Sequence, residues 1–92
     1  MSKFKTGRTV MTRSVAEGID YNRKFAEFVY TSLHRHISGD WGDLTDSDKR
    51  ANDRALKEED RILSAYDENG WKIYIITEWD RSYTTIMFPE EY

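Results

Sequence analysis

Trp71-Lys72-Ile73-Tyr74-Ile75-Ile76-Thr77-Glu78 is the stretch that decides the fold. It is crowded with β-branched and aromatic side chains, which suit a pleated, half-buried surface. Trp79-Asp80-Arg81-Ser82 breaks the run, and Tyr83-Thr84-Thr85-Ile86-Met87-Phe88 resumes it. Both alternating sets of 71–78 carry bulk: Trp71, Ile73 and Ile75 on one side, Tyr74 and Ile76 on the other. A strand apolar on both faces is covered on both faces. Residues 71–78 are therefore expected to be the middle strand, with the rest of the chain packed around it.

Immediately upstream, Arg61-Ile62-Leu63-Ser64-Ala65-Tyr66 reads as a strand and Asp67-Glu68-Asn69-Gly70 as a turn. Asn-Gly between apolar runs is the strongest short hairpin signal, because both residues accept positive φ. Strands at 61–66, 71–78 and 82–88 then form an antiparallel meander. Pro89 stops the last strand, since it cannot donate to a ladder, and Glu90-Glu91-Tyr92 follows as an acidic tail.

Further upstream, Phe25, Phe28, Val29, Leu33, His36 and Ile37 recur on one helical face, with Arg23, Lys24, Glu27, Thr31 and His34 opposite. The spacing predicts a helix over 20–37, capped by Asp20 or Asn22 and closed by Gly39. Thr45 followed by Asp48 resembles a capping box and opens a second helix over 46–58, with a thin apolar stripe of Ala51, Ala55 and Leu56. Asp46–Arg50 and Asp53–Lys57 sit at i, i+4 in the favourable order. Residues 14–19 read as a connector, 8–13 as a short edge strand and 1–8 as frayed, with Met1 and Met11 as filler. The expected fold is α+β: a three-stranded antiparallel meander plus a short N-terminal strand, with two helices packed on the sheet.

The chain has 92 residues, which makes one domain. Its 38% hydrophobic content argues for a core, and its 34% charged content, with both signs present, for a hydrated surface. It has no cysteine, so disulfides and thiol metal sites are excluded, and a cytoplasmic setting is expected. No apolar run is long enough for a signal or a membrane span.

Charge is unevenly placed. Residues 1–35 hold seven Lys/Arg and three acids, net +4; residues 36–92 hold seven Lys/Arg and fourteen acids, net −7. Such asymmetry speaks about partners. Glu58-Glu59-Asp60 ends the second helix with three carboxylates, where the helix dipole disfavours negative charge. That cost is tolerable for a partner, or the helix ends earlier. Gly39-Asp40-Trp41-Gly42-Asp43-Leu44 holds an indole in a tight loop. It reads either as a turn with an aromatic plug or as a recognition loop, since interfaces favour Trp.

An enzyme is not expected. Glu78 and Asp80 with His34 or His36 are the only groups that suggest a magnesium or nuclease site, and no phosphate loop, metalloprotease motif or activated nucleophile supports one. His34 and His36, two apart on a helix, point to different faces and cannot share a metal. His36 lies on the apolar stripe and reads as a hydrogen-bonded core residue, His34 as solvated. Neither metal nor cofactor is expected. Direct nucleic-acid binding through Lys3, Lys5, Arg8, Arg13, Arg23 and Lys24 conflicts with a pI near 5.3. Acids spaced along loops and a helix can instead imitate a DNA backbone and occupy a basic groove. The candidates are Asp40, Asp43, Asp46, Asp48, Glu58, Glu59, Asp60, Asp67 and Glu68, with Trp41 as a possible anchor.

The sequence also resembles a small plasmid-related family carried on bacterial mobile elements. The likeness lies in Thr12-Arg13 with Val15, Phe25-Ala26-Glu27-Phe28-Val29, Ser32-Leu33 with Arg35-His36, and Gly39-Asp40-Trp41-Gly42-Asp43-Leu44. It continues in Leu63-Ser64-Ala65-Tyr66, Lys72-Ile73 with Ile75-Ile76-Thr77-Glu78, Asp80-Arg81-Ser82 with Thr84-Thr85, and Phe88-Pro89-Glu90-Glu91-Tyr92. Within that family it is similar to type I-C anti-CRISPR proteins. The resemblance implies a monomeric inhibitor of the type I-C Cascade complex that blocks the DNA or PAM-recognition surface of its large subunit, with no direct nucleic-acid or membrane partner. The alternative is a plasmid- or phage-borne anti-restriction or regulatory binding protein. No contact residue is carried over; the acids named above come from charge density alone.

Overall fold

The computed structural model describes residues 2–92; Met1 lies outside them. The order is β1 (Arg8–Met11), α1 (Arg13–Tyr21), α2 (Arg23–Ile37), α3 (Asp46–Glu58), β2 (Ile62–Glu68), β3 (Trp71–Thr77), β4 (Tyr83–Met87) and a 3₁₀ turn (Pro89–Glu91). One sheet is formed, in the order β1-β4-β3-β2. β2, β3 and β4 are antiparallel neighbours, but β1 runs parallel to β4, with Arg8 opposite Tyr83 and Met11 opposite Ile86. The architecture is therefore α+β with three helices and a four-stranded mixed sheet. It corrects the expected three-stranded antiparallel meander with two helices.

The extra helix is the stretch read as a connector. Thr12 caps it, its Oγ1 accepting from Val15 N at 3.3 Å, and Asn22 ends it. The same Asn22 opens α2, its Oδ1 accepting from Phe25 N at 3.1 Å. One residue thus closes one helix and caps the next, splitting what reads as a single helix over 20–37. Gly18 makes the elbow possible, because a Cβ there would lie 2.8 Å from the Phe25 ring.

β3 does sit inside the sheet. Ile73 and Ile75 are buried beneath α2 with Phe25, Phe28, Val29, Tyr66 and Ile86, and Val15 of α1 joins them. Ile76, on the other side of the pleat, is 1% exposed. A second cluster, Trp41, Ala55 and Ile62 with Phe4, Leu44 and Leu56, joins α3 to the β2 end. Asn69 and Gly70 close the β2–β3 hairpin with φ of 54° and 83°. Residues 2–7, read as frayed, are tied down: Lys3 N donates to Ile37 O at 2.8 Å, and the Phe4 ring meets His36 edge-on at 5.3 Å. Among the described residues no helix is long and apolar enough to cross a membrane.

Candidate functional site

α3 and the 40–45 loop run along the outer edge of β2. Gly42, at φ 78°, forms an isolated parallel bridge to Ala65, and a Cβ there would collide with the Ala65 carbonyl. This close approach lets Ala65 N donate to Trp41 O at 3.3 Å and Asp43 N donate to Ala65 O at 2.7 Å. Asp43 Oδ2 then accepts from Asp67 N at 2.9 Å. The structure thus joins Asp43 to Asp67 and its neighbour Glu68. Asp46 and Asp48 lie in the first turn of α3, where the dipole favours acids, with Asp48 N donating to Thr45 Oγ1 at 3.1 Å.

Glu58, Glu59 and Asp60 form a separate group at the other end of α3, about 18 Å of helix rise away. Their unfavourable position is offset by a residue whose role needs the fold to be seen. The Arg81 guanidinium donates to Asp60 O at 2.6 Å, Ala55 O at 3.0 Å and Glu78 O at 3.0 Å. It places positive charge at the helix C-terminus, supplies the Asp60 carbonyl with its donor and adds one to the already bonded Ala55 and Glu78 carbonyls. Arg81 adopts φ 60° to do so.

Two candidates have structural duties. Asp40 is gripped by Arg35 in a two-point pair, Nε to Oδ2 at 2.7 Å and Nη2 to Oδ1 at 3.2 Å, and also accepts from Gly42 N. The Arg35 hydrogen bond holds the Asp40 carboxyl below the usual carboxylate range. The same guanidinium stacks over Tyr66 at 4.9 Å, and the Tyr66 hydroxyl donates to Asp40 O at 2.6 Å. Trp41 is 4% exposed, with its Nε1 donating to Asp53 Oδ1 at 3.0 Å. The aromatic-plug reading of that loop is the one observed, so Trp41 is placed in the core and not at the surface.

All nine candidate carboxylates belong to exposed residues. Among the described residues, Asp40 is the one of them within 4.0 Å of a Lys or Arg nitrogen. The pairs expected at Asp46–Arg50 and Asp53–Lys57 are not formed, and Asp53 is taken by Trp41 instead. The groups named for a nuclease-like site are held elsewhere. Glu78 pairs with Arg61 at 3.6 Å, Asp80 accepts from Ser82 N and Oγ, and His36 is fully buried. Among the described residues no group of three potential metal ligands is present.

No family model, curated protein or solved structure matches the chain.

Proposed function

We propose that the protein is a non-catalytic anti-CRISPR inhibitor. In this reading it binds the type I-C Cascade complex at its large, PAM-recognising subunit and keeps target DNA out by presenting carboxylates where the DNA backbone would lie. The reading rests on the sequence resemblance and on one structural observation. Asp43 is tied to Asp67 at the β2 edge, Glu68 follows in the same strand, Asp46 and Asp48 open α3 just after that loop, and all five are exposed and, among the described residues, without Lys or Arg partners. Charge not neutralised at home is available to steer association and to form charge-assisted hydrogen bonds with a basic groove. Glu58, Glu59 and Asp60 supply a second contact at the far end of α3.

The test is co-purification with type I-C Cascade, followed by a target-DNA binding assay. Reversing Asp46, Asp48, Asp67 and Glu68 to lysine is expected to slow association and restore DNA binding, and wild-type inhibition is expected to weaken as salt rises. Reversing Asp20 and Glu27, on the helical side, serves as the control. Full inhibition by the first variant, or capture of a restriction enzyme and not Cascade, overturns the proposal.

A further inference from the structure

The two edges of the sheet are treated differently. The outward groups of β2 are closed one after another. Asn52 Nδ2 donates to Leu63 O at 2.8 Å and its Oδ1 accepts from Leu63 N at 3.3 Å. Trp41 and Asp43 serve Ala65, and Asp43 serves Asp67. Such covering prevents another chain from pairing with the edge.

β1 has no such cover. Arg8 N donates to Ser82 O and Thr12 N to Ile86 O, each at 3.1 Å. Ladder alternation therefore turns the amides of Arg8, Val10 and Thr12 toward β4, and those of Thr9 and Met11 outward. Among the described residues, no side chain or loop hydrogen-bonds the Thr9 or Met11 backbone from outside. Thr9 is exposed, β1 holds no proline, and its register with β4 is continuous over four residue pairs.

We propose that β1 is a docking edge for an extended acidic segment of another protein, which adds as a fifth, antiparallel strand. Charge selects the occupant. Arg8 is exposed and, among the described residues, has no carboxylate within 4.0 Å; Lys5 and Arg13 flank it, and Arg13 has only a loose, exposed pair with Glu17 at 3.8 Å. A second copy of this chain would set the Arg8 and Arg13 side chains of both copies along one short edge, where like charges repel. An antiparallel segment exchanges two hydrogen bonds with Thr9 and two with Met11. Arg8 and Val10 share a face. The matching segment therefore carries an apolar residue opposite Val10 and, two residues later, a carboxylate opposite Arg8. This inference concerns the edge opposite the acidic one and does not depend on the inhibitor reading.

The probe is a short peptide alternating threonine with valine and glutamate, titrated into the full chain and followed by amide hydrogen exchange. A lysine-for-glutamate peptide and a single-stranded oligonucleotide are run beside it. The acidic peptide is expected to protect the Thr9 and Met11 amides, and the lysine peptide to leave them unprotected. Arg8→Glu is expected to weaken the acidic peptide by about tenfold. Thr9→Pro removes an outward donor and no bond to β4, a position where an edge strand tolerates proline; it is expected to abolish binding. If that variant does not fold, wild-type exchange and Arg8→Glu still decide the matter. Three results overturn the proposal: both amides protected in the free protein through dimerisation, oligonucleotide binding without protection at Thr9 and Met11, or peptide affinity indifferent to Arg8→Glu.

Discussion

His36 Nε2 donates to Thr77 Oγ1 at 2.9 Å inside the core, and the bonds beyond it fix the proton's place. Thr84 Oγ1 spends its proton on Thr6 O at 2.8 Å, so across the 2.7 Å contact with Thr77 the proton belongs to Thr77. The Thr77 oxygen must then accept from His36, whose Nδ1 is left to accept from Ser64 Oγ at 2.6 Å. The histidine is neutral, in a single tautomer, and every donor in the chain has one acceptor. Four elements and the N-terminal segment meet along this seam.

Burial lowers the His36 pKa from its ordinary 6.5 to about 4. A folded-state pKa below the unfolded one means that the unfolded chain binds more protons between the two values. Stability from neutral His36 is therefore complete above pH 6.5 and is lost as pH falls toward 4. The span corresponds to about 3 kcal/mol. Urea midpoints measured from pH 8 to pH 4 are expected to fall through this window. His36→Gln is expected to be less stable at pH 7 and to lose most of the slope above pH 5. An unchanged slope in that variant would assign the pH dependence to other groups.

Arg81 is expected to matter more than its half-exposed surface position suggests. Arg81→Ala leaves the Asp60 carbonyl without its donor and takes the side-chain donor from the Ala55 and Glu78 carbonyls, which keep only their backbone partners. It also removes the cation bound at the C-terminal end of α3. The expected loss is about 2 kcal/mol in denaturant unfolding. Arg81→Lys keeps the charge but not the fork, so it is expected to recover less than half of that loss. Equal stability of the lysine variant and wild type would show that charge alone accounts for the effect.

Asn52 closes the β2 edge with one side chain that imitates a strand's paired donor and acceptor. Asn52→Ala leaves both Leu63 backbone groups without a partner and is expected to cost about 1–3 kcal/mol. It also opens an edge flanked by apolar Ile62 and Leu63. Light scattering against concentration is expected to show self-association in this variant and not in wild type. Monomeric Asn52→Ala would mean that the 41–43 loop alone protects the edge.

What could be read in advance was what neighbouring residues decide. The Asn69-Gly70 hairpin, the capping of α3 by Thr45 and the buried stripe of Phe25, Phe28, Val29 and His36 all rest on local chemistry. α1 was hidden because it buries little beyond Val15 and carries Gly18, a poor helix former whose purpose appears only when Phe25 lies against it. The direction of β1 was hidden because its partner is more than seventy residues away, and because the β2 edge had already been closed by Asn52 and the 41–43 loop. The candidate acids were legible as charge. That Arg35 holds Asp40, and that Asp43 accepts from the Asp67 amide, depends on tertiary neighbours that no spacing reveals.

Gly42 and Gly70 separate two reasons for a glycine. Both sit in the left-handed region, at φ 78° and 83°. Around Gly70 nothing lies within 4 Å of where a Cβ would be, so Gly70→Ala meets only the intrinsic backbone preference, about 1–2 kcal/mol. At Gly42 the added Cβ would also strike the Ala65 carbonyl and come within 2.7 Å of the Tyr66 ring. Neither neighbour can give way, since Ala65 O accepts from Asp43 N and Tyr66 is fully buried under α2. Gly42→Ala is expected to cost at least about 3 kcal/mol and to free the Ala65 and Asp67 amides for hydrogen exchange. Gly70→Ala is expected to leave those two amides protected. Equal losses in the two variants would mean that the 40–43 loop shifts away from β2 without penalty, and that the close approach there does not hold Asp43 against the strand.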